Sequence, residues 1–117
     1  MEAEINVGCC IWSLIELKDG RIAAGLGNGD VHIIDIASKK SVIEYKGHIK
    51  TVNCLLEIEG GRLISGSDDG SIIMWNLEDP NEKYVFENGH TSPVCSLIKL
   101  GDYKIASASK ESIKIWE

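Results

Sequence analysis

The segment Gly47–Trp75 reads GHIKTVNCLLEIEGGRLISGSDDGSIIMW, and most of it returns later in the chain. Gly47-His48 reappears 42 residues further on as Gly89-His90, and Trp75 reappears 41 residues further on as Trp116. A period of this size is typical of repeat architectures, in which each repeat is one supersecondary unit that stacks on its neighbours. We therefore divide the chain of 117 residues into three units, at about residues 7–46, 47–88 and 89–117.

Each unit contains short strand-like runs that are separated by turn signals. In the second unit we predict strands over Val52–Ile58, Arg62–Ser67, Ser71–Asn76 and Lys83–Glu87, with a polar loop over Glu78–Glu82. Asp68-Asp69-Gly70 lies between the second and third runs and is a strong hairpin signal. Several runs are apolar on both faces, which is typical of strands that are covered on both sides. These features predict an all-β fold of three four-stranded antiparallel sheets that stack face to face.

The charge balance bears on which partners are expected. The sequence has 12 basic and 18 acidic residues, so its net charge is −6. This balance repels phosphate backbones and anionic membrane surfaces, and we expect neither nucleic acid nor membrane as a partner. No apolar run approaches the roughly 20 residues that span a bilayer, and the N-terminus is acidic where a signal peptide would be basic. We expect an intracellular protein, in the cytoplasm with the nucleus as the alternative.

The four cysteines, Cys9, Cys10, Cys54 and Cys95, do not have the spacing of a metal site. A zinc site needs ligands at short spacing such as Cys-x-x-Cys, and adjacent strand residues point to opposite faces of a sheet. The glycine-rich stretch Gly25–Gly29 has neither a following helix nor the Lys-Ser/Thr of a phosphate loop. We therefore expect no metal and no cofactor.

A period of about 40 to 45 residues, with Gly-His near one end and Trp near the other, resembles the WD40 repeat family. The second unit carries the motif as Gly47-His48, Ser65, Asp69 and Trp75, with Asn76 where the family has aspartate. The third unit carries it as Gly89-His90, Ser107 and Trp116, with Glu111 in the place of Asp69. The first unit is degenerate, with Asn6-Val7, Ala24, Asn28 and Ile34 at the corresponding positions. The resemblance implies β-propeller blades and covers essentially the whole chain.

The resemblance also implies a hydrogen-bonded tetrad of histidine, serine, aspartate and tryptophan inside each complete unit. A buried tryptophan N–H needs an acceptor, the serine hydroxyl can bond an imidazole, and the second imidazole nitrogen can donate to a carboxylate. A histidine, a serine and an aspartate could also form a hydrolase triad, but the tryptophan and the repetition favour a structural role. We expect the structural residues to be His48, Ser65, Asp69 and Trp75, together with His90, Ser107, Glu111 and Trp116.

For function, the resemblance implies a non-enzymatic scaffold that binds proteins or peptides on the top face and rim of a propeller. The positions that would bind map to Trp12, Lys50, Asp68 and Lys110, although Trp12 could equally pack between blades. We expect His32 on a partly exposed strand face. The alternatives are a self-assembling half propeller or a fragment of a larger WD40 protein without a ligand site of its own, and, with less support, a propeller enzyme.

The number of units raises the question of closure. Closed propellers have about 4 to 8 blades, and three blades would leave open faces and unpaired strand edges. The third unit reaches Trp116-Glu117 directly after its third strand, while residues 2–6 stand where a fourth strand would lie. This resembles the family's closure by an N-terminal strand that completes the last blade. The preferred hypothesis is a homodimer of about six blades, and the competing one is a piece of a longer propeller.

Overall fold

The computed structural model describes residues 3–117 and arranges them in three antiparallel sheets, blades 1 to 3. Blade 1 consists of β1 (Ile11–Glu16), β2 (Ile22–Leu26), β3 (Val31–Asp35) and β4 (Lys40–Tyr45). Blade 2 consists of β5 (Val52–Ile58), β6 (Arg62–Ser67), β7 (Ile72–Asn76) and β8 (Asp79–Val85). Blade 3 consists of β9 (Ser96–Leu100), β10 (Lys104–Ala108) and β11 (Ile113–Trp116). Within each blade, strands that follow one another in sequence pair with one another.

The fourth strand of blade 2 begins earlier than the sequence predicts. The chain reverses over Leu77 and Glu78 alone, and the pairing of β7 with β8 starts at Asn76 opposite Asp79. Leu77 is buried, and the Asn76 side chain accepts the N–H of Glu78 at 2.8 Å, which tightens the reversal. Pro80 is compatible with this strand because β8 is an edge strand whose outer side makes no ladder bonds.

Two glycines hold neighbouring blades close together. Gly29 has a φ of +95° and Gly70 a φ of +85°, both in the left-handed region that favours glycine. A Cβ on Gly29 would lie 2.4 Å from the carbonyl oxygen of His48, and one on Gly70 would lie 2.1 Å from that of His90. The turn between the second and third strands of one blade therefore packs against the backbone that leads into the next blade.

The hydrophobic core lies between the blades rather than within them. One cluster joins blade 1 to blade 2, with Ile33, Tyr45 and Leu63 among its fully buried members. A second cluster joins blade 2 to blade 3 around Ile64 and Val94. Burying one such aliphatic side chain contributes about 1.5–3 kcal/mol, so the stacking of blades is the main stabilising interaction of the fold.

The first strands of blades 1 and 2 carry the same irregularity. Pairing skips Trp12 between Ile11 and Ser13, and in blade 2 it skips Asn53 between Val52 and Cys54. A bulge of this kind leaves one residue unpaired and redirects its side chain. Trp12 and Asn53 are thus aimed away from the sheet at the same place in two blades.

Both ends of the stack have an uncovered sheet face. On blade 3, Ile98, Ile113 and Ile115 are more than half exposed. On blade 1, the outward face is only partly covered, by Ile5 and Val7, which pack on it although no strand is assigned over residues 3–10. The hypothesis that residues 2–6 complete the third blade stays a prediction, and Glu2 lies outside the described residues.

His32 lies deeper than the sequence suggests. It is on β3, paired with Ala24 and Glu44, and only 6% of its surface is exposed. The expectation of a partly exposed strand face is wrong, because the N-terminal segment covers this side of blade 1. Its Nε2 lies 4.0 Å from Asp30 and 3.9 Å from Glu44. Within residues 3–117, no helix is long and apolar enough to cross a membrane.

Candidate functional site

A continuous hydrogen-bonded network runs through blade 2. Trp75 Nε1 donates to Ser65 Oγ at 2.7 Å, and Ser65 Oγ lies 2.6 Å from His48 Nε2. His48 Nδ1 lies 2.7 Å from Ser71 Oγ, which in turn donates to the Asp69 carboxylate. One orientation satisfies every member: each hydroxyl donates onward toward the carboxylate, and the imidazole carries its proton on Nδ1.

The network contains a residue that the tetrad prediction omitted. The shortest His48–Asp69 approach is 3.8 Å, so the imidazole reaches the carboxylate through Ser71 instead of bonding it directly. Asp69 also accepts the backbone N–H of Ile49 at 2.9 Å and that of Ser71 at 2.8 Å. The signal for this residue was present in the sequence, because Ser71 recurs 41 residues later as Ser112.

Burial and hydrogen bonding fix the protonation states of this network. Burial lowers the pKa of His48 to about 4, although the nearby Asp69 carboxylate acts in the opposite direction. For Asp69, burial acts to raise the pKa, but hydrogen bonds from Ser71 and from the Ile49 and Ser71 N–H groups outweigh it and lower the pKa. At neutral pH the network therefore contains a neutral imidazole and an ionised carboxylate.

Blade 3 repeats the inner part of the network but not its outer end. His90 Nε2 lies 2.7 Å from Ser107 Oγ, which also accepts Trp116 Nε1 at 2.8 Å. The prediction that Glu111 takes the place of Asp69 is wrong. In the described part of the chain the Glu111 carboxylate makes no hydrogen bond or ion pair, and Ser112 Oγ stands 3.5 Å from His90 Nδ1.

The reason for this difference is the length of the turn. The turn of blade 3 has two residues, Lys110 and Glu111, where blade 2 has the three residues Asp68–Gly70. The backbone N–H groups of Glu111 and Ser112 both point to the hydroxyl of Ser109, at 3.2 and 3.3 Å. The shorter turn folds around that hydroxyl and leaves Glu111 exposed.

Blade 1 replaces the polar network with an apolar set. Val7 stands where blade 2 has histidine, Ala24 where it has serine, and Ile34 where it has tryptophan. Ala24 and Ile34 are buried in one cluster with Leu26, and Val7 packs against them. Replacing all partners of a buried hydrogen-bonded group together leaves nothing unpaired, so the degenerate repeat is a packed one.

The networks do not have the properties of a catalytic triad. The side chain of His48 is fully buried, Ser65 is fully buried, and the Ser65 oxygen accepts a hydrogen bond from Trp75. A nucleophile must be able to reach its substrate, and this hydroxyl is enclosed between blades. The histidines, serines and tryptophans connect the interior of each blade, and chemistry with a partner has to take place elsewhere on the surface.

The top face is the end of the blades that carries the turns Gly27–Asp30, Asp68–Gly70 and Ser109–Ser112. Trp12 lies there with 64% of its surface exposed. Its indole rests against Gly27, where a Cβ would come within 3.2 Å of the ring nitrogen. The bulge and the glycine together hold a large aromatic side chain in solvent instead of between blades.

The other three predicted binding positions differ in their freedom. Lys50 and Lys110 are exposed, and among residues 3–117 their ammonium groups make no ion pair or hydrogen bond. Asp68 is already used inside the protein, because its carboxylate accepts the Asn53 side-chain amide at 2.6 Å. Asn53 also donates to the carbonyl of Val94 in blade 3 at 3.1 Å, so this pair braces two blades. The top face thus brings Trp12 and Lys50 to the two sides of one turn, while Lys110 lies two blades away.

No group of three or more histidine, cysteine, aspartate or glutamate side chains in the described residues has the geometry to hold a metal ion. The four cysteines are free, and burial raises the pKa of Cys54 to about 12, which keeps its thiol protonated.

Comparison with known proteins gives the same repeat family throughout. The rat protein "WD repeat domain 54" is 32% identical over 82 residues, which cover 69% of this chain and 25% of that protein. The "Ribosome biogenesis protein YTM1" of Eremothecium gossypii is 26% identical over 117 aligned residues, which cover 89% of this chain and 26% of that protein. A chain in the crystal structure of the Mitotic Checkpoint Complex superposes with a TM-score of 0.86 at 31% identity, over 98% of this chain and 36% of that one.

These figures show that the chain spans about a quarter of the length of the two relatives. The all-β arrangement of stacked four-stranded sheets matches that of WD40 propellers. The WDR54 family model matches residues 4–115, nearly the whole of the sequence. The chain is therefore a member of the WDR54 family of WD-repeat proteins.

Proposed function

We propose that the protein is a non-enzymatic scaffold that binds other proteins or peptides through the top face and rim of its blades. The observation that carries this proposal is Trp12, a tryptophan held 64% exposed by a bulge and a glycine. Large aromatic side chains in solvent are costly unless used, and tryptophan is enriched at the energetic centres of interfaces. Lys50, across the same turn, adds a charge that a partner can use at the rim of the contact.

Capture of partners by the folded protein tests this proposal. Trp12→Ala should remove captured partners, and Lys50→Ala should weaken them, because the first removes an anchor and the second a rim charge. Tyr103→Ala is the matched control, since Tyr103 is an aromatic side chain with 89% exposure in the turn at the opposite end of blade 3. Loss of partners with Tyr103→Ala but not with Trp12→Ala would contradict a top-face contact.

We further propose that two copies close into one ring of six blades. The support is the pair of uncovered sheet faces, with Ile113 and Ile115 exposed on blade 3 and Leu14 exposed on blade 1. Exposed apolar sheet faces associate readily, and six blades lie in the range of known propellers. Light scattering should give twice 12.8 kDa, and a monodisperse species of 12.8 kDa would contradict closure by a second copy.

The proposed partners and location follow from charge and cysteine chemistry. A net charge of −6 opposes binding to phosphate backbones, so proteins are the proposed partners and nucleic acid is not. The four free thiols agree with a reducing compartment, and we propose the cytoplasm, with the nucleus as the second candidate. One relative is named for ribosome biogenesis, which is consistent with the nucleus as that candidate.

A further inference from the structure

The outer part of the junction between blades 2 and 3 is an open groove of about 450 Å³. Met74, Tyr84 and Phe86 line it from blade 2, and Ile105 and Trp116 line it from blade 3. Its volume is in the range of sites that bind peptides and small molecules. The groove runs beside β11, which pairs with β10 on one side only.

The junction between blades 1 and 2 shows what belongs in such a groove. Tyr45 stacks on Trp75 there with ring centroids 4.9 Å apart, and Phe86 stacks on Trp116 at 5.0 Å in the groove. Tyr45 and Trp75 are almost completely buried, whereas Phe86 and Trp116 are only partly buried. The difference is that β8 and Leu77 cover Trp75, and no strand covers Trp116 in the same way.

The repeat fixes the register of a strand that would fill the groove. In blade 2 the antiparallel partner of Trp75 is Lys83, and the partner of Ile73 is Val85. By the same period, Trp116 and Lys114 are the positions on β11 that correspond to Trp75 and Ile73. An added strand would therefore place one residue opposite Trp116 and, two residues later, another opposite Lys114.

The chemistry of these two positions differs. The ammonium group of Lys83 lies 6.0 Å from the centre of the Trp75 ring, a favourable position for a cation over an aromatic face. Lys114 donates to the carbonyls of Asn88 and Gly89 at 2.9 and 3.0 Å. An ammonium group has three donors, so one remains for a carboxylate on the added strand. The groove fits a basic residue opposite Trp116 and an acidic residue opposite Lys114.

The N-terminal segment of the chain does not have this pattern. Counted back from the positions that match Gly47, Glu4 corresponds to Tyr45, so a carboxylate would occupy the site of a buried aromatic ring. Ile5, one residue further on, packs with Val7 against the outward face of blade 1. The segment is thus a poor match for the groove in any copy of the protein.

We propose that this groove binds an extended peptide of a partner protein by strand addition to β11. The peptide runs antiparallel to β11 and carries a basic residue, any residue and then an acidic residue. Its backbone bonds the free edge of β11, and its side chains fill the space beside Phe86 and Trp116. The proposal rests on the scaffold function and adds a second contact surface, distinct from the top face, with a stated partner chemistry.

Fluorescein-labelled peptides and anisotropy titration test the proposal with the whole chain. The probe is the capped peptide of residues 79–87, DPNEKYVFE, and the same peptide with Val85→Glu. We expect saturable binding of both, with the Val85→Glu peptide about threefold tighter because of the carboxylate opposite Lys114. Lys114→Met should abolish this preference, and Lys110→Met, which changes an exposed lysine outside the groove, should leave it intact.

Two further peptides decide between strand addition and other modes of binding. N-methylation of the backbone amides removes the donors of a β ladder, so it should weaken the probe at least about tenfold. Equal affinity for the methylated probe, or no saturable binding by folded protein, would overturn the proposal. Tighter binding of a peptide of residues 1–6 would show that the groove takes the N-terminal segment of another copy. Because Trp12 is outside the groove, loss of partners in the Trp12→Ala experiment and failure of these titrations are separate results.

Discussion

Replacing Ser65 by alanine tests whether the network of blade 2 acts as one unit. Ser65 is fully buried and serves two partners, so Ser65→Ala leaves the Trp75 N–H and the His48 Nε2 without hydrogen bonds. An unpaired buried polar group costs about 1–3 kcal/mol, and the two together should lower the free energy of unfolding by about 2–4 kcal/mol. Urea denaturation followed by circular dichroism measures this change from the shift in midpoint at constant slope.

The double variant His48→Val with Ser65→Ala supplies the decisive comparison. It approaches the apolar set that blade 1 uses at Val7 and Ala24, and it leaves only the Trp75 N–H unpaired. We expect its destabilisation to be smaller than the sum of the two single variants by about 1 kcal/mol or more. Additivity within about 0.4 kcal/mol would refute a coupled network. Ala24→Ser is the converse control, because it adds an unpartnered hydroxyl to blade 1 and should destabilise it.

Three more predictions follow from the geometry. Between pH 7 and pH 4 the free energy of unfolding should fall by about 3 kcal/mol on account of His48, because the unfolded imidazole is protonated below its ordinary pKa of 6.5 while the folded one keeps a pKa of about 4; urea titrations should show this slope in the wild type and a flatter one in His48→Gln. Gly70→Ala should cost about 2 kcal/mol or more, because its Cβ meets the His90 carbonyl at a positive φ. Gly101→Ala, with a positive φ but open space, should cost clearly less by the same assay, and equal costs would contradict the close approach. Tyr45→Phe removes a 2.7 Å hydrogen bond to a backbone carbonyl of blade 2 but keeps the ring, so thermal unfolding should report a loss of about 1 kcal/mol.

The period of the sequence was sufficient to predict the strands, because each blade repeats the same order of apolar runs and turns. The bounds of β5 and β6 agree with the predicted runs, and β7 begins one residue later. The start of β8 could not be predicted, since it depends on the burial of Leu77 against a neighbouring blade. A polar run such as Asp79–Glu82 has no intrinsic preference for a strand, and tertiary packing decided its conformation.

The networks were predictable in their inner part and not in their outer part. Histidine, serine and tryptophan recur at the period, so their proximity follows from the repeat. The role of Ser71 depends on which hydroxyl lies between an imidazole and a carboxylate, a matter of a few tenths of an ångström that the repeat alone does not specify. Glu111 was assigned by its charge, yet one residue fewer in the turn moved its carboxylate into solvent. The burial of His32 likewise comes from a segment that is distant in sequence.

The apolar set of blade 1 has a consequence for how such repeats diverge. Between His-Ser-Trp and Val-Ala-Ile there are three substitutions, and any one of them made alone in blade 2 leaves a buried donor or acceptor without a partner. Since domains are stable by only about 5–15 kcal/mol, intermediates that each lose a few kcal/mol lie close to unfolding. The two arrangements are therefore separated by a valley in stability that single mutations cross slowly. Repeats of this kind should be found in one arrangement or the other, and mixtures of the two should be rare.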